Sequence, residues 1–305
     1  KNTGSPVFFA ATLCPIRNKI GTGLRYNGLI MEWFYIFPQW YQYTVVFFLG
    51  AVIGSFLNVY IYRFHTGKSL SGRSHCLSCG ARLRALELVP LLSYLGLRGR
   101  CRNCHSSITA RYFFVELVTG VLFLVAYLRA LSLEELLYLW AVCAVLLVIT
   151  VYDIRHFIIP DSLTVALTVL AVGWRFFETY SGLLTYTELL HAMAAAGAGA
   201  GFLFFLWFIS KGKWIGFGDV KLAFPLGVIV GTWQVFSMIV LSFWIGAGVS
   251  ILIMVLMKLQ RGKLRLRFLL PNLTMKSVVP FAPFLVSGCL VVLFTKFNVL
   301  TLFTF

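Results

Sequence analysis

Beyond its first forty residues the chain alternates long apolar runs with short polar connections. Eight runs stand out, at roughly 41–62, 112–130, 135–152, 162–177, 189–210, 220–233, 235–257 and 278–296. A helix needs about 20 mostly apolar residues to cross a bilayer. The pattern therefore predicts an all-α polytopic membrane protein with about eight transmembrane helices. The strands of a membrane barrel would alternate apolar and polar positions, and these runs do not. The sixth run is short, which predicts a tilted or partly re-entrant helix. The fifth carries AAAGAGAG, whose small residues let helices approach closely. Residues 1–30 show no such pattern: Gly, Asn and Thr are scattered without a period, and Met31 opens the first ordered stretch. They read as an upstream extension, and they lack the basic–apolar–cleavage layout of a signal peptide.

Composition agrees with a membrane chain. Of 305 residues, 60% are hydrophobic and 12% charged, against about 25% charged in a soluble domain. The net charge of +16, from 26 Lys+Arg and 10 Asp+Glu, could signal nucleic acid. Here the basic residues lie in connections between apolar runs, which points to the cytosolic face and anionic lipid head groups and away from nucleic acid. Connection 63–111 holds many arginines, Arg155 and His156 follow the third run, Lys211 and Lys213 the fifth, and Lys258 to Lys276 the seventh. With eight spans all of these fall on one side, and both termini on the other. The opposite connections carry Glu134, Glu135, Glu178 and Glu188, with Arg129 and Arg175 as departures.

Connection 63–111 also contains two CxxC pairs, Cys76/Cys79 and Cys101/Cys104. Four thiolates at this spacing can close a tetrahedral Zn²⁺ site, and a loop too small for a sizeable core gains from such a staple. Two disulfides or a redox pair are the alternatives. His75 and His105 flank the pairs and read as solvated loop residues. Cys143 and Cys289 lie inside apolar runs and read as buried, unreactive thiols.

The chain has three aspartates, Asp153, Asp161 and Asp219, all near the predicted cytosolic membrane edge. Asp161 follows Pro160 at a helix start, where a carboxylate can cap the helix. Asp219 opens the sixth run after GFG. Asp153 closes the third run, where its own helix dipole disfavours a negative charge. Ionisable groups at membrane depth are costly and point to function. Two carboxylates brought together share a proton and can activate water against a peptide carbonyl. Gly216 and Gly218 would let an extended peptide approach the backbone. Lys221 joins them as a substrate-loop candidate that points at the cytosolic edge more than at a salt bridge, with a pairing to Asp219 as the alternative.

Six stretches in order resemble the type IV prepilin peptidases, membrane aspartic proteases of the GxGD class: GSFLNVYIYR (54–63), the CxxC pairs with LVPLLSYLGLRGRCRNC (88–104), RYFFVELVTG (111–120), DIRHFIIPDSLT (153–164), GFGDVKL (216–222) and VPFAPFL (279–285). The resemblance implies a catalytic pair in Asp153 and Asp219 and zinc ligands in Cys76, Cys79, Cys101 and Cys104. The runs and connections divide the chain into a first helix over 41–62, a cytosolic four-cysteine zinc-type domain over 63–111 and a seven-helix membrane core over 112–296, which the resemblance identifies as a peptidase core. The resemblance further implies cleavage of prepilin or pseudopilin leaders after a glycine, at the cytosolic face of a bacterial inner membrane, and N-methylation from S-adenosylmethionine. No Gly-rich nucleotide fingerprint marks a site for that donor. Phe217 stands where a small residue is more usual. The leaders are themselves basic, so recognition falls to the substrate's apolar helix and not to the basic loops.

Two other classes compete. A proton- or cation-coupled transporter could use Asp153 and Asp219 as a relay, but a four-cysteine domain has no obvious use there and no inverted repeat is visible. A non-catalytic assembly scaffold would leave both aspartates incidental.

Overall fold

A computed structural model describes residues 37–64, 72, 74–259 and 280–299. Residues 1–30 and most of the basic connection 258–276 lie outside the described residues, so the expectations placed on them are not addressed by the fold. The described chain is almost wholly helical. Its long helices are α1 (Gln39–Arg63), α3 (Arg111–Arg129), α4 (Leu133–His156), α5 (Asp161–Tyr180), α6 (Tyr186–Ser210), α7 (Phe217–Val230), α8 (Gln234–Leu259) and α9 (Ala282–Thr295), with the five-residue α2 (Leu92–Gly96) between α1 and α3. Each long helix coincides with one of the eight apolar runs. Five of them, α1, α3, α4, α6 and α8, are long and apolar enough to cross a membrane by length and composition.

Local signals set the helix ends. Ser132 accepts the Glu135 N–H at the start of α4, and the helix stops at Phe157, which adopts the left-handed conformation. Pro160 then precedes α5, where it cannot continue a helix but can begin one. Thr185 and Glu188 form a reciprocal capping box at the start of α6.

Packing explains several glycines without appeal to chemistry. On α1 the stretch GAVIG places Gly50 and Gly54 one turn apart. A Cβ on Gly50 would sit 2.9 Å from the Gly120 Cα, and one on Gly54 would sit 2.7 Å from Thr119 Oγ1. The backbones of α1 and α3 thus meet closely, as small-xxx-small interfaces do. The small residues of α6 serve α7 in the same way: a Cβ on Gly227 would lie 2.8 Å from the Ala196 Cα.

The short α7 is the hub. From Val220 to Val230 nearly every residue of α7 is buried, and a helix apolar all round belongs inside a bundle. It packs against α5, α6, α8 and α9. Leu146 and Ile149 of α4, Leu222 and Leu226 of α7 and Leu285 of α9 are fully enclosed in the shared core. Cys143 and Cys289 lie in that core as expected.

Candidate functional site: a buried carboxylate pair and a four-cysteine cluster

Asp153 and Asp219 are both buried, at 5% and 6% exposure, whereas Asp161 is exposed. They stand on different helices. The helices α4 and α7 are bridged by α5 and α9, which pack against both, and Asp219 lies within electrostatic reach of Asp153. Asp219 stands in the first turn of α7, where its Oδ2 accepts the Gly216 N–H at 3.2 Å. A carboxylate there sits at the positive end of its own helix.

Asp153 solves its dipole problem with a neighbour. It stands in the last turn of α4, the unfavourable end, but the backbone N–H of Ala282, the first residue of α9, lies near enough to favour its charge. The stretch FAPFL therefore supplies a helix N-terminus to a carboxylate that its own helix disfavours. Sequence reasoning quoted this stretch without finding that use; the signal available was Pro283 in a first turn facing an aspartate with no local partner. Among the described residues, Asp153 Oδ2 is buried without a hydrogen-bond partner, an arrangement that is costly unless water or a ligand completes it.

The third aspartate goes elsewhere. Asp161 is the first residue of α5, and the cap position is taken by Pro160. Its carboxylate receives Lys221 Nζ at 2.8 and 3.1 Å. Lys221, expected to point at the cytosolic edge more than at a salt bridge, is thus paired, and its Nζ also lies 5.2 Å above the Phe217 ring. The reason is helical spacing: Asp161 and Lys221 both lie within two turns of the N-termini of adjacent helices. Phe217 leans on Trp207, with ring centroids 5.1 Å apart, and stays 44% exposed. Gly216 and Gly218 have local reasons to lack side chains. A Cβ would come 3.3 Å from Asp219 Oδ2 at the first and 3.2 Å from the Ile159 side chain at the second.

The four cysteines of the 63–111 connection converge. Their sulfurs lie within 4.8 Å of one another, and Cys76 and Cys104 are 3.9 Å apart. A tetrahedral zinc with bonds of about 2.3 Å has sulfurs about 3.8 Å apart, so the cluster can hold a metal ion. Two similar turns build it. Cys76 N–H bonds to Ala81 O and Gly80 N–H to Cys76 O; Cys101 N–H bonds to Ser106 O and His105 N–H to Cys101 O. Gly80 and His105 occupy the same place in the two turns, both with positive φ. His105 is therefore a turn residue of the second knuckle. The N–H groups of Cys79 and Ser78 pull the Cys76 thiol down to about 6, so the first ligand is ready as a thiolate.

Beside the cluster lies a cavity of about 560 Å³ between the end of α1, the start of α3 and the cysteine knuckles. Phe64, which follows the cavity-lining Tyr62 and Arg63, packs edge-on against Tyr152 at 5.4 Å. Tyr152 precedes Asp153, so cavity, cysteines and carboxylates share one end of the bundle.

Fold and site together define a polytopic helical membrane protein that gathers its unusual polar chemistry at one end. The comparisons make the class specific. Residues 48–130 match the Bacterial Peptidase A24 N-terminal domain, and residues 140–251 match the Type IV leader peptidase family. The prepilin leader peptidase/N-methyltransferase of Burkholderia pseudomallei (strain 1026b) is 33% identical over 290 residues, covering 84% of this chain and 86% of the relative. That of Aeromonas hydrophila is 31% identical over 295 residues, covering 85% and 92%. That of Pectobacterium carotovorum subsp. carotovorum is 34% identical over 238 residues, covering 70% and 82%. No solved structure matches the chain significantly. The chain belongs to the type IV leader peptidase family.

Proposed function

We propose that the protein is a membrane aspartic endopeptidase in which Asp153 and Asp219 cleave the leader of a prepilin or pseudopilin. What supports the reading is that two buried carboxylates on different helices lie within electrostatic reach of each other, one of them with an oxygen that has no partner among the described residues. Of two neighbouring carboxyl groups, the ionised one takes a proton from water as it attacks the scissile carbonyl, and the protonated one donates to the carbonyl oxygen. The Gly216 N–H holds Asp219, and the N-terminus of α9 at Ala282 lies beside Asp153. A transporter relay is not supported by the relatives' names, which describe a peptidase.

Zinc is the metal we assign to Cys76, Cys79, Cys101 and Cys104, as a closed structural site with no open position for substrate. The basic connections are proposed to face the cytosol of a bacterial inner membrane and to touch anionic lipid, with the substrate's apolar helix lying along the spans.

The methyltransferase half of the relatives' names comes to this chain as a further part of the proposal. The cavity beside the cysteines fits S-adenosylmethionine in size and in lining: Tyr62, Tyr94 and Tyr112 offer faces to a cation or a base, and Glu116 offers a buried carboxylate. When bound, the donor supplies a methyl group to the new N-terminus. Glu116 is held in place by the Leu91 N–H at 2.8 Å, and Asn58 is anchored by donating to Tyr112 O at 3.0 Å.

Mass spectrometry of a co-expressed prepilin tests both halves at once. Wild type is expected to yield the shortened, methylated chain, while Asp153→Asn and Asp219→Asn leave the leader in place although both variants still insert. Cleavage at the wild-type level by either variant contradicts the pair.

A further inference from the structure

Arg175 departs from the charge bias of the other connections, and its contacts explain why it is there. Its Nε donates to Val228 O at 3.0 Å and its Nη2 to Ile229 O at 3.0 Å, while Nη1 pairs with Glu178 at 3.0 Å. Val228 and Ile229 lie in the last turn of α7, whose final carbonyls have no partner within the helix. A cation is also favoured at that negative end. Arg175 therefore closes the far end of the helix that carries Asp219. The same helix, α5, holds the near end through Asp161 and Lys221. The two helices run parallel, and α5 grips α7 at both ends.

The ties differ in strength. Asp161 and Lys221 keep 71% and 39% of their side-chain surface exposed, and exposed pairs contribute little. Arg175 and Glu178 keep only 16% and 22%, and Arg175 satisfies two backbone carbonyls besides. The far tie dominates.

Helix α7 needs such support. It has 14 residues and Pro225 inside it. Proline has no N–H, so the carbonyl of Lys221, four residues earlier, loses its helical partner. Apolar packing around α7 is non-directional, so directional bonds at its two ends add what packing alone lacks. A slip of one residue moves a side chain about 1.5 Å and turns it about 100°. Reactive groups must hold to about 0.5 Å.

We infer that α5 sets the axial register of α7, and that Arg175 is a positioning residue for the reaction at Asp219, roughly 14 Å along the helix. The inference rests on the reading of Asp153 and Asp219 as the cleaving pair. Arg175 touches neither carboxylate, so its loss acts on turnover while substrate binding persists.

The test is steady-state cleavage of a purified prepilin-type substrate by wild type, Arg175→Met, Arg175→Lys and Asp219→Asn, each solubilised and checked for a monodisperse, helical, heat-resistant fold. Arg175→Met is expected to lower kcat about tenfold to a hundredfold with KM within about twofold of wild type. Arg175→Lys, which keeps the cation and a donor, recovers most of that loss. Wild-type kcat in Arg175→Met overturns the inference. So does a loss that tracks a loss of folded protein and is not recovered by Arg175→Lys, because that pattern marks a merely structural role. Cleavage by Asp219→Asn overturns instead the reading on which the inference rests.

Discussion

A carboxylate can be buried at the edge of a membrane helix only where backbone donors or charges replace its water. Asp219 finds a donor in Gly216 at the cap of its own helix, and Asp153 lies beside the N-terminus of α9. Asp161 keeps its exposure and takes Lys221 as partner. Three aspartates in similar sequence settings thus divide into an inward pair and an outward ion pair. At the same scale, Cys76 is already thiolate-prone, its thiol drawn down to about 6 by two backbone N–H groups. Its pKa is depressed, so the charged ligand is present above about 6 and takes up a proton as pH falls below that. Zinc content measured on purified protein is expected to be about one per chain at neutral pH and to fall on dialysis into acid, where protons compete with the metal for the thiolates. Absence of metal together with oxidised cysteines contradicts the assignment. The inward pair was legible as residues in the sequence, because an aspartate ending a greasy helix has no local explanation. The Ala282 N–H was not, since 129 positions of chain, 153 to 282, separate partners that meet only in the fold.

Among the elements, the tight α1–α3 interface and the short α7 do most to place the polar end of the bundle. Gly54 faces Thr119 and Glu116, one turn from residues that line the cavity. Gly54→Leu is expected to force α1 from α3 at roughly 1–3 kcal/mol, lowering the midpoint of thermal unfolding in detergent, whereas Gly173→Ala, with open space around its Cα, leaves it nearly unchanged. An unshifted midpoint for Gly54→Leu contradicts the close approach. All eight apolar runs announced their helices, because length and hydrophobicity are enough for that. The brevity of α7 was visible too. What the runs concealed is its role as hub: a residue's neighbours in a bundle depend on which helices meet, and a uniformly apolar helix gives no face to read. Likewise GAVIG carried its small-xxx-small spacing openly, but nothing local said that RYFFVELVTG would be its partner.

For the molecule as a whole, the alternation of helices brings the ends of α1, α4 and α6 and the starts of α3, α5 and α7 to one end of the bundle, where carboxylates, cysteines and cavity adjoin. If the charge bias sets orientation as proposed, a cysteine introduced in the 63–111 connection resists a membrane-impermeant thiol reagent in intact cells and reacts after permeabilisation; the opposite result reverses the orientation. Composition alone excluded a soluble domain, and the spaced motifs together pointed to the family, yet the apolar surface against which a substrate helix would lie had no signature beyond hydrophobicity. Whether Asp153 and Asp219 work as a pair is read from the mass of a purified prepilin-type substrate after incubation with wild type, Asp153→Asn or Asp219→Asn in matched membranes. The account predicts loss of the leader with wild type and an intact substrate with both variants; a shortened substrate from either variant at the wild-type rate contradicts it.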